Sequence, residues 1–152
     1  MSLPNIFSTE VTEQIIARIQ KLTPQTTPSW GKMSVAQMCA HCCVTYEMVY
    51  ENKHKQPGAF MRFILKVLVK PTVVGEKPYK RNSQTAPAFL ITDERDFANE
   101  QNRLIAYIRR AQKDGAAFFD GRTSHSFGKL TLAEWNNMFY KHLDHHLTQF
   151  GV

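Results

Sequence analysis

The sequence predicts an all-α protein with four long helices and one shorter amphipathic helix. In each of these segments the apolar residues recur every three to four positions, which is the spacing of one face of an α-helix. Clusters of proline, glycine and polar residues separate the segments. Two of the helix starts carry a capping box, in which a serine or threonine is followed three residues later by glutamine or glutamate.

The first two predicted helices lie in the first third of the chain. Helix one ends before Pro24, and helix two runs from Val35 to the region of Glu51, behind a capping box made by Ser34 and Gln37. The apolar face of helix one consists of Val11, Ile15, Ile16, Ile19 and Leu22, and that of helix two of Val35, Met38, Cys42, Tyr46 and Val49.

A short amphipathic helix is predicted after Pro57 and Gly58. Its basic residues, Arg62, Lys66 and Lys70, fall together on the side opposite its apolar stripe. The stripe consists of Phe60, Phe63, Ile64, Val67 and Leu68. The following stretch 71–87 contains three prolines and a glycine without periodicity, so it is predicted to be a long loop between helices two and three.

The last two long helices complete the predicted fold. Thr92, followed by acidic residues that suit a helix start, is the expected N-cap of helix three, and Gly115 is its expected end. The apolar face of this helix includes Leu104 and Ile108. Thr131 and Glu134 form the second capping box, which opens a helix that runs nearly to the C-terminus.

Length and composition predict one globular domain over residues 1–152. The chain is 43% hydrophobic and 21% charged, which is ordinary for a folded domain and excludes disorder throughout. No stretch is long and apolar enough for a membrane span, and the first twenty residues carry acids where a signal peptide would be basic and then apolar. We therefore expect a cytoplasmic protein. Cys39, Cys42 and Cys43 share one predicted helix, so reduced thiols are expected.

Positive charge is concentrated in one part of the sequence. Residues 53–81 contain eight basic residues and one acid, a net charge of +7 in a chain whose total is +6. Nucleic acid binding is disfavoured, because the aromatic residues of the amphipathic helix lie opposite Arg62 and Lys66 rather than between them. This helix is a lid on the bundle, a dimer contact or a membrane-surface helix. The first two are favoured, since the stripe is narrow and no second membrane signal accompanies it.

Two histidines lie on the inner face of the last predicted helix. His142 and His146 are four residues apart, so both rings can reach one metal ion, and they share a stripe with Trp135, Met138, Phe139 and Gln149. Zinc needs at least a third protein ligand, and His41 on helix two is the candidate. The alternative is that these histidines are structural and hydrogen-bond carbonyl groups. Metal binding is favoured by their placement, because burying unpaired imidazoles costs roughly 1 to 3 kcal/mol each.

Two stretches of the sequence resemble the DinB-like superfamily. The run from Trp30 to His41 is similar to its second-helix signature, and the run from His142 to Gln149 to its last-helix signature. Residues 125–131, HSFGKLT, resemble a subfamily known only as a domain of unknown function. The resemblance implies an up-down-down-up four-helix bundle, to which the short amphipathic helix and the long loop are additions. It also implies a metal centre of His41, His142 and His146, homodimers, and relatives that include thiol-dependent S-transferases and isomerases.

Four further residues are candidates for supporting roles. Gln149 lies one turn beyond His146 and could orient a ligand, and His145 is either a neighbour of the site or a surface residue. His125 precedes the last helix and could approach the mouth of the site. Tyr46 is either a proton donor or a core tyrosine, of which the second is commoner. The CxxC of Cys39 and Cys42 is interpreted as core packing rather than chemistry.

The functional hypothesis is a metal-dependent enzyme that acts on a small molecule. Zinc or nickel is expected, because imidazole ligands suit several late first-row metals. The metal would lower the pKa of a bound water or thiol, so both hydrolysis and transfer of a low-molecular-weight thiol are open. The competing hypothesis is a non-catalytic helical module that acts on a partner through its basic helix. The insert 53–90 is longer than a simple bundle connection and leaves the substrate pocket undefined.

Overall fold

The computed structural model describes residues 2–152 and is mostly helical. It confirms the predicted helical class, and it adds one short antiparallel hairpin that the sequence did not predict. The helices are α1 Thr9–Gln20, α2 Val35–Tyr50, α3 Ala59–Ile64, α4 Lys70–Val74, α5 Phe97–Phe119 and α6 Leu132–Gln149, and the strands are β1 Thr123–Ser124 and β2 Gly128–Lys129.

Helix α2 lies at the centre of the fold. It packs against α5 and also contacts α6, while α1 packs against both α5 and α6. Almost every side chain from Val35 to Glu47 is buried, including the small ones of Ala40 and Cys43, so α5, α6 and parts of the insert pack around α2. Most of the buried hydrophobic residues of the described chain form one cluster, which is typical of a single core. His41, the histidine on α2, therefore belongs to a helix in the interior of the molecule.

Both predicted capping boxes are present. Ser34 Oγ accepts the backbone N–H of Gln37 at 3.1 Å, and Gln37 Oε1 accepts that of Ser34 at 3.0 Å. Thr131 and Glu134 form the same reciprocal pair at the start of α6. These caps satisfy backbone donors that have no partner within the helix, and so they fix where α2 and α6 begin.

The predicted N-cap of the third long helix was wrong. Helix α5 is capped by Asp96, whose side chain accepts the backbone N–H of Asn99 at 2.8 Å, rather than by Thr92. An aspartate is as good a cap as a threonine, and its charge suits the positive end of the helix. Gly115 does leave helical geometry, with φ of +68°, but one more turn follows it before α5 ends at Phe119.

Residues 59–74 form one helical segment rather than a helix that stops at Pro71. Between α3 and α4, residues 65–69 form a π-helical turn in which Lys70 N–H donates to Leu65 O. A proline in a regular α-helix would clash with the carbonyl group four residues before it, and the wider turn relieves this clash. The first part of the predicted loop 71–87 is therefore helical, and Pro87–Phe89 forms a short 3₁₀ turn.

The apolar stripe of the amphipathic helix does not pack on the rest of the chain. Phe60, Phe63 and Leu68 are 78%, 65% and 70% exposed, and none of the residues from 59 to 69 is buried. The prediction that this stripe closes over the bundle as a lid is therefore wrong for the single chain.

Among the described residues, no helix has both the length and the apolar character needed to cross a membrane.

Candidate metal centre

Three histidine rings from two helices meet at one place. His41 comes from α2, and His142 and His146 come from successive turns of α6. One nitrogen of each ring lies within 4.8 Å of the others, and His41 Nε2 is 2.9 Å from His142 Nε2. His41 and His146 are only 5% and 8% exposed. The three predicted ligands thus converge at one place, and two of them are almost wholly buried.

The ring of His41 is oriented by the insert 53–90. Its Nδ1 is 2.9 Å from the carbonyl oxygen of Phe89, in the short 3₁₀ turn. A carbonyl oxygen can only accept a hydrogen bond, so the proton of the neutral ring is on Nδ1. His41 Nε2 therefore presents a lone pair to the other two histidines, as a metal ligand must.

The ring of His146 is fixed in the same way by Gln149. Its Nδ1 is 2.8 Å from Gln149 Oε1, and the amide nitrogen of Gln149 donates to the carbonyl oxygen of Trp30 at 2.6 Å. The second contact fixes which end of the amide faces His146, because only the nitrogen can donate to a carbonyl group. Nδ1 of His146 must then be the donor to Oε1. Its Nε2 is left with a lone pair.

A glycine leaves room for the Gln149 side chain. Gly31 has φ of +84°, and a Cβ at this position would lie 2.6 Å from Gln149 Nε2. The backbone conformation favours glycine, and any larger residue would also displace the Gln149 amide. The loop that follows α1 thus contacts the candidate site, because its residues Trp30 and Gly31 lie against the side chain of Gln149 on α6.

The third ring, His142, has a partner that can either donate or accept a hydrogen bond. Its Nδ1 is 3.0 Å from the hydroxyl oxygen of Thr45, which lies one helical turn after His41 on α2. A hydroxyl group can donate or accept, so Thr45 suits both neutral tautomers of His142. The tautomer with its proton on Nδ1 frees Nε2 to join the lone pairs of His41 and His146.

The environment keeps all three rings neutral. Burial lowers the pKa of His146 to about 3, with a further contribution from His41. Burial also lowers the pKa of His142 well below its usual value, and the neighbouring rings of His41 and His146 add to this. The pKa of His41 is lowered by burial, although its hydrogen bond to Phe89 opposes the shift. Neutral imidazoles carry the lone pairs that a cation needs.

This donor set fits a late first-row metal. Each ring has a separate polar partner for Nδ1, and three neutral imidazoles are the protein ligands of some catalytic zinc sites. Three buried histidines that are this close together could hold one metal ion. Imidazole also suits copper, iron and nickel, so the residues do not select one metal.

The histidines open onto a large cavity. Its volume is about 1510 Å³, which exceeds the ~300 to 1,000 Å³ that is usual for small-molecule sites. The insert supplies much of its wall through residues 71–91, and the β-hairpin supplies residues 124–127. Large side chains also line the cavity, and they include Trp30, Met48, Tyr79, Phe89, Trp135 and Met138. The insert therefore builds the pocket that the sequence left undefined.

Residues 6–151 match the model of a protein family that is described as a protein of unknown function (DUF1569). The chain belongs to this family. The match covers nearly the whole chain and includes all three histidines. No curated protein and no solved structure matches the chain.

In this DUF1569 protein, His145 and His125 lie at the cavity outside the group of three possible ligands, although the ring of His145 is 5.0 Å from that of His146. His145 is half-buried, with its ring 5.8 Å from that of Trp30 and 5.7 Å from that of Tyr79. His125 has its Nε2 3.2 Å from the carbonyl oxygen of His54, to which it donates, so it ties the hairpin to the start of the insert. Both residues line the cavity.

Tyr46 and the cysteines belong to the core. Tyr46 is 1% exposed, and its ring stacks between those of Tyr107 and Phe139. The core interpretation of this tyrosine therefore fits the structure better than a proton donor. The three cysteines are buried, and burial raises the pKa of Cys39 to about 12, so its thiolate is scarce at neutral pH.

Gln149, which the sequence indicates as a residue that could orient a ligand, contacts His146, but the other residues that hold the rings were not predicted from the sequence. Thr45 could have been found from the sequence, because it lies four residues after His41 and so shares its helix face. Phe89 and Trp30 act through their backbone carbonyl groups, which any residue could supply. Only the folded chain identifies these two contacts.

Proposed function

We propose that this protein is a metal-dependent enzyme that acts on a small molecule. His41, His142 and His146 would hold one divalent ion, with zinc or nickel expected. The observation that carries the proposal is the fixed direction of the lone pairs of His41 and His146, because Phe89 O and Gln149 Oε1 each hold an Nδ1 proton. One nitrogen of each of the three rings lies within 4.8 Å of the others, so a single cation could accept a lone pair from every ring.

The chain supplies positioning and shielding for this chemistry. A bound metal ion would act as a Lewis acid and lower the pKa of a water or thiol beside it. Thr45 and Gln149 hold the ligand rings in place, and the insert 53–90 encloses the cavity next to them. Apolar side chains such as Met48 and Met138 line the cavity and suit a partly apolar substrate.

The resemblance to DinB-like proteins supports a narrower form of the proposal. Under it the long helices are an up-down-down-up bundle, and the reaction is S-transfer from a low-molecular-weight thiol or hydrolysis. The order of the helices and the origin of the ligands in α2 and α6 agree with this assignment. A homodimer and a cytoplasmic location belong to the same set of predictions.

Elemental analysis of untagged protein tests the metal centre. We expect about one zinc or nickel ion per chain, and the loss of this ion in a His142→Ala variant, because two imidazoles do not make a stable site. His145→Ala is the matched control, since it removes the neighbouring histidine on the same helix and should leave the metal content unchanged. Metal that is lost equally in both variants, or in neither, would contradict the assignment.

Cobalt substitution tests whether a position remains open for a substrate. The visible spectrum of Co²⁺-loaded protein should change when 2-mercaptoethanol is added, because thiolate is a good ligand for late first-row metals. The Co²⁺-loaded His145→Ala variant should respond in the same way. A spectrum that is insensitive to thiol would favour a non-catalytic module whose metal, if any, is structural.

A further inference from the structure

Exposed large hydrophobic side chains are confined to one part of the described chain. All of them lie between residues 60 and 90, and all but one are in the helical segment 59–74, which we call the docking helix. They are Phe60, Met61, Phe63, Val67, Leu68, Val69 and Leu90. Scattered exposed apolar residues need no explanation, but a concentration of them on one helix marks an interaction surface.

The docking helix also carries basic residues, on the side away from the exposed phenylalanines. Lys66 is exposed, whereas Arg62 is half-buried and donates to Gln56 Oε1 and to the carbonyl oxygen of Pro57. Two other cations of residues 53–81 are paired with acids, since Lys53 contacts Glu47 and Glu51, and Lys70 contacts Glu134 at 2.7 Å. The docking helix itself contains no acid, so the charges that it carries are all positive. It therefore combines an exposed apolar face with positive charge.

The charge favours one occupant over another. A second copy of the chain, docked about a twofold axis, would bring the same basic residues close to each other, and like charges in contact are destabilising. A negatively charged lipid surface has the opposite sign and an apolar interior for the phenylalanines. An amphipathic helix with aromatic residues on one face and lysine or arginine beside it is the usual form of an interfacial anchor.

We propose that the docking helix binds the surface of membranes that contain anionic lipids. Phe60, Phe63 and Leu68 enter the boundary between headgroups and acyl chains, while the long side chain of Lys66 reaches the lipid phosphates. The same helix also lines the cavity, with Leu65 and Val69. Docking therefore brings one wall of the cavity to the membrane. From the sequence alone a membrane-surface helix is disfavoured, because no second feature typical of membrane binding accompanies the amphipathic pattern. The exposure of the apolar face in the structure is such a feature.

Sedimentation of the full chain with vesicles tests the proposal. The protein should bind vesicles of phosphatidylcholine and phosphatidylserine and bind much less to phosphatidylcholine alone, and added salt should weaken binding because the contact is partly electrostatic. Phe60→Ser with Phe63→Ser should weaken binding by roughly tenfold or more, since two large apolar side chains no longer enter the lipid. Both side chains are exposed, so the variant keeps its fold.

A pair of charge variants separates the docking helix from general electrostatic attraction. Lys66→Glu changes the charge by two units and should weaken binding to the phosphatidylserine vesicles by roughly thirtyfold, at about 1 kcal/mol for each unit of charge near the surface. Lys113→Glu makes the same change at an exposed position on α5 and should have a much smaller effect. Equal losses in the two variants would overturn the assignment to this helix.

Sedimentation velocity of the protein without lipid identifies the competing occupant. We expect the oligomeric state to be the same for the wild type and for Phe60→Ser with Phe63→Ser. A wild-type dimer that becomes a monomer in this variant, together with no binding to either vesicle, would show that the face is a dimer interface and would overturn membrane docking. The result does not depend on the metal, so it is distinct from the tests of the metal centre.

Discussion

Each histidine of the candidate centre is held by a partner from a different part of the chain. Phe89 O comes from the insert, Thr45 Oγ1 from α2 and Gln149 Oε1 from α6. Such partners fix the tautomer and the orientation of a ligand, and their loss typically lowers metal affinity by roughly 10- to 100-fold. The affinity of the centre should therefore depend on residues that never touch the metal.

Gly31→Ala should weaken both the fold and the metal centre. The new Cβ would lie 2.6 Å from Gln149 Nε2 and push the amide away from Trp30 O and His146 Nδ1. The positive φ adds a backbone cost of roughly 1 to 2 kcal/mol. We expect a lower free energy of unfolding in urea, and zinc affinity that is lower by about tenfold or more in a competition titration with a coloured chelator.

The control for this variant is Gly128→Ala in the hairpin. Gly128 also has a positive φ, of +73°, but a Cβ there meets nothing within 4 Å. This variant should lose a similar amount of stability through its backbone and keep its affinity for zinc. If both variants bind zinc as tightly as the wild type does, Gln149 does not orient His146.

At the scale of elements, the regular helices follow from local signals and the insert does not. The caps of α2 and α6 and the inner stripe that places His142 and His146 together could be predicted, because each depends on residues within one or two helical turns. The continuation of the helix through Pro71 could not be predicted, since a π-helical turn has no distinctive sequence pattern. Nor could the wall that residues 71–91 build over the histidines, because it depends on tertiary contacts.

A buried carboxylate joins three elements on the other side of α2. Glu47 is 5% exposed and contacts Lys53 Nζ at 2.8 Å, His54 Nε2 at 2.6 Å and the guanidinium of Arg103 on α5. Burial alone would raise the pKa of Glu47, but the hydrogen bonds from Lys53 and His54 and the nearby charge of Arg103 outweigh it, so the pKa is lowered. The carboxylate form is therefore the one that stabilises the fold.

Glu47→Gln should reduce stability in a manner that depends on pH. The folded pKa lies below the unfolded value of about 4.3, so this group stabilises the protein above that value and loses its effect as pH falls through the folded pKa. We expect the variant to lose roughly 1 to 3 kcal/mol near neutral pH and to approach the wild type in acid. Urea unfolding at several pH values measures both.

Glu13→Gln is the matched control for Glu47→Gln. It also removes a carboxylate that pairs with an arginine, Arg109, but both of these side chains are about half exposed. An exposed pair contributes roughly 0 to 1 kcal/mol, so this variant should change stability little at any pH. A loss of stability in Glu47→Gln that is no larger than in Glu13→Gln would mean that burial of Glu47 has no energetic consequence.

At the scale of the molecule, the histidine centre connects segments that are far apart in sequence. His41 and Phe89 join α2 to the insert, and His146, Gln149 and Trp30 join α6 to the loop after α1. The same loop is bonded again through Ser29 N–H, which donates to Gln149 O at 2.8 Å. A metal ion at the centre should therefore stiffen the insert and this loop more than regions to which the histidines have no direct bond.

Amide hydrogen exchange with and without zinc measures this coupling. The amides of Phe89 and Leu90 donate within the 3₁₀ turn whose carbonyl oxygen holds His41, and the amide of Ser29 donates to Gln149. Their exchange should slow by up to ~100-fold when free zinc exceeds its Kd about a hundredfold, because opening must first release the ion. The amide of Leu130, which donates to Arg122 O beside the hairpin, should change much less. In His142→Ala zinc should leave all four amides unaffected. Equal slowing at Leu130 and Phe89 in the wild type would show that zinc acts only through global stability, and the proposed links from the rings to the insert would then be wrong.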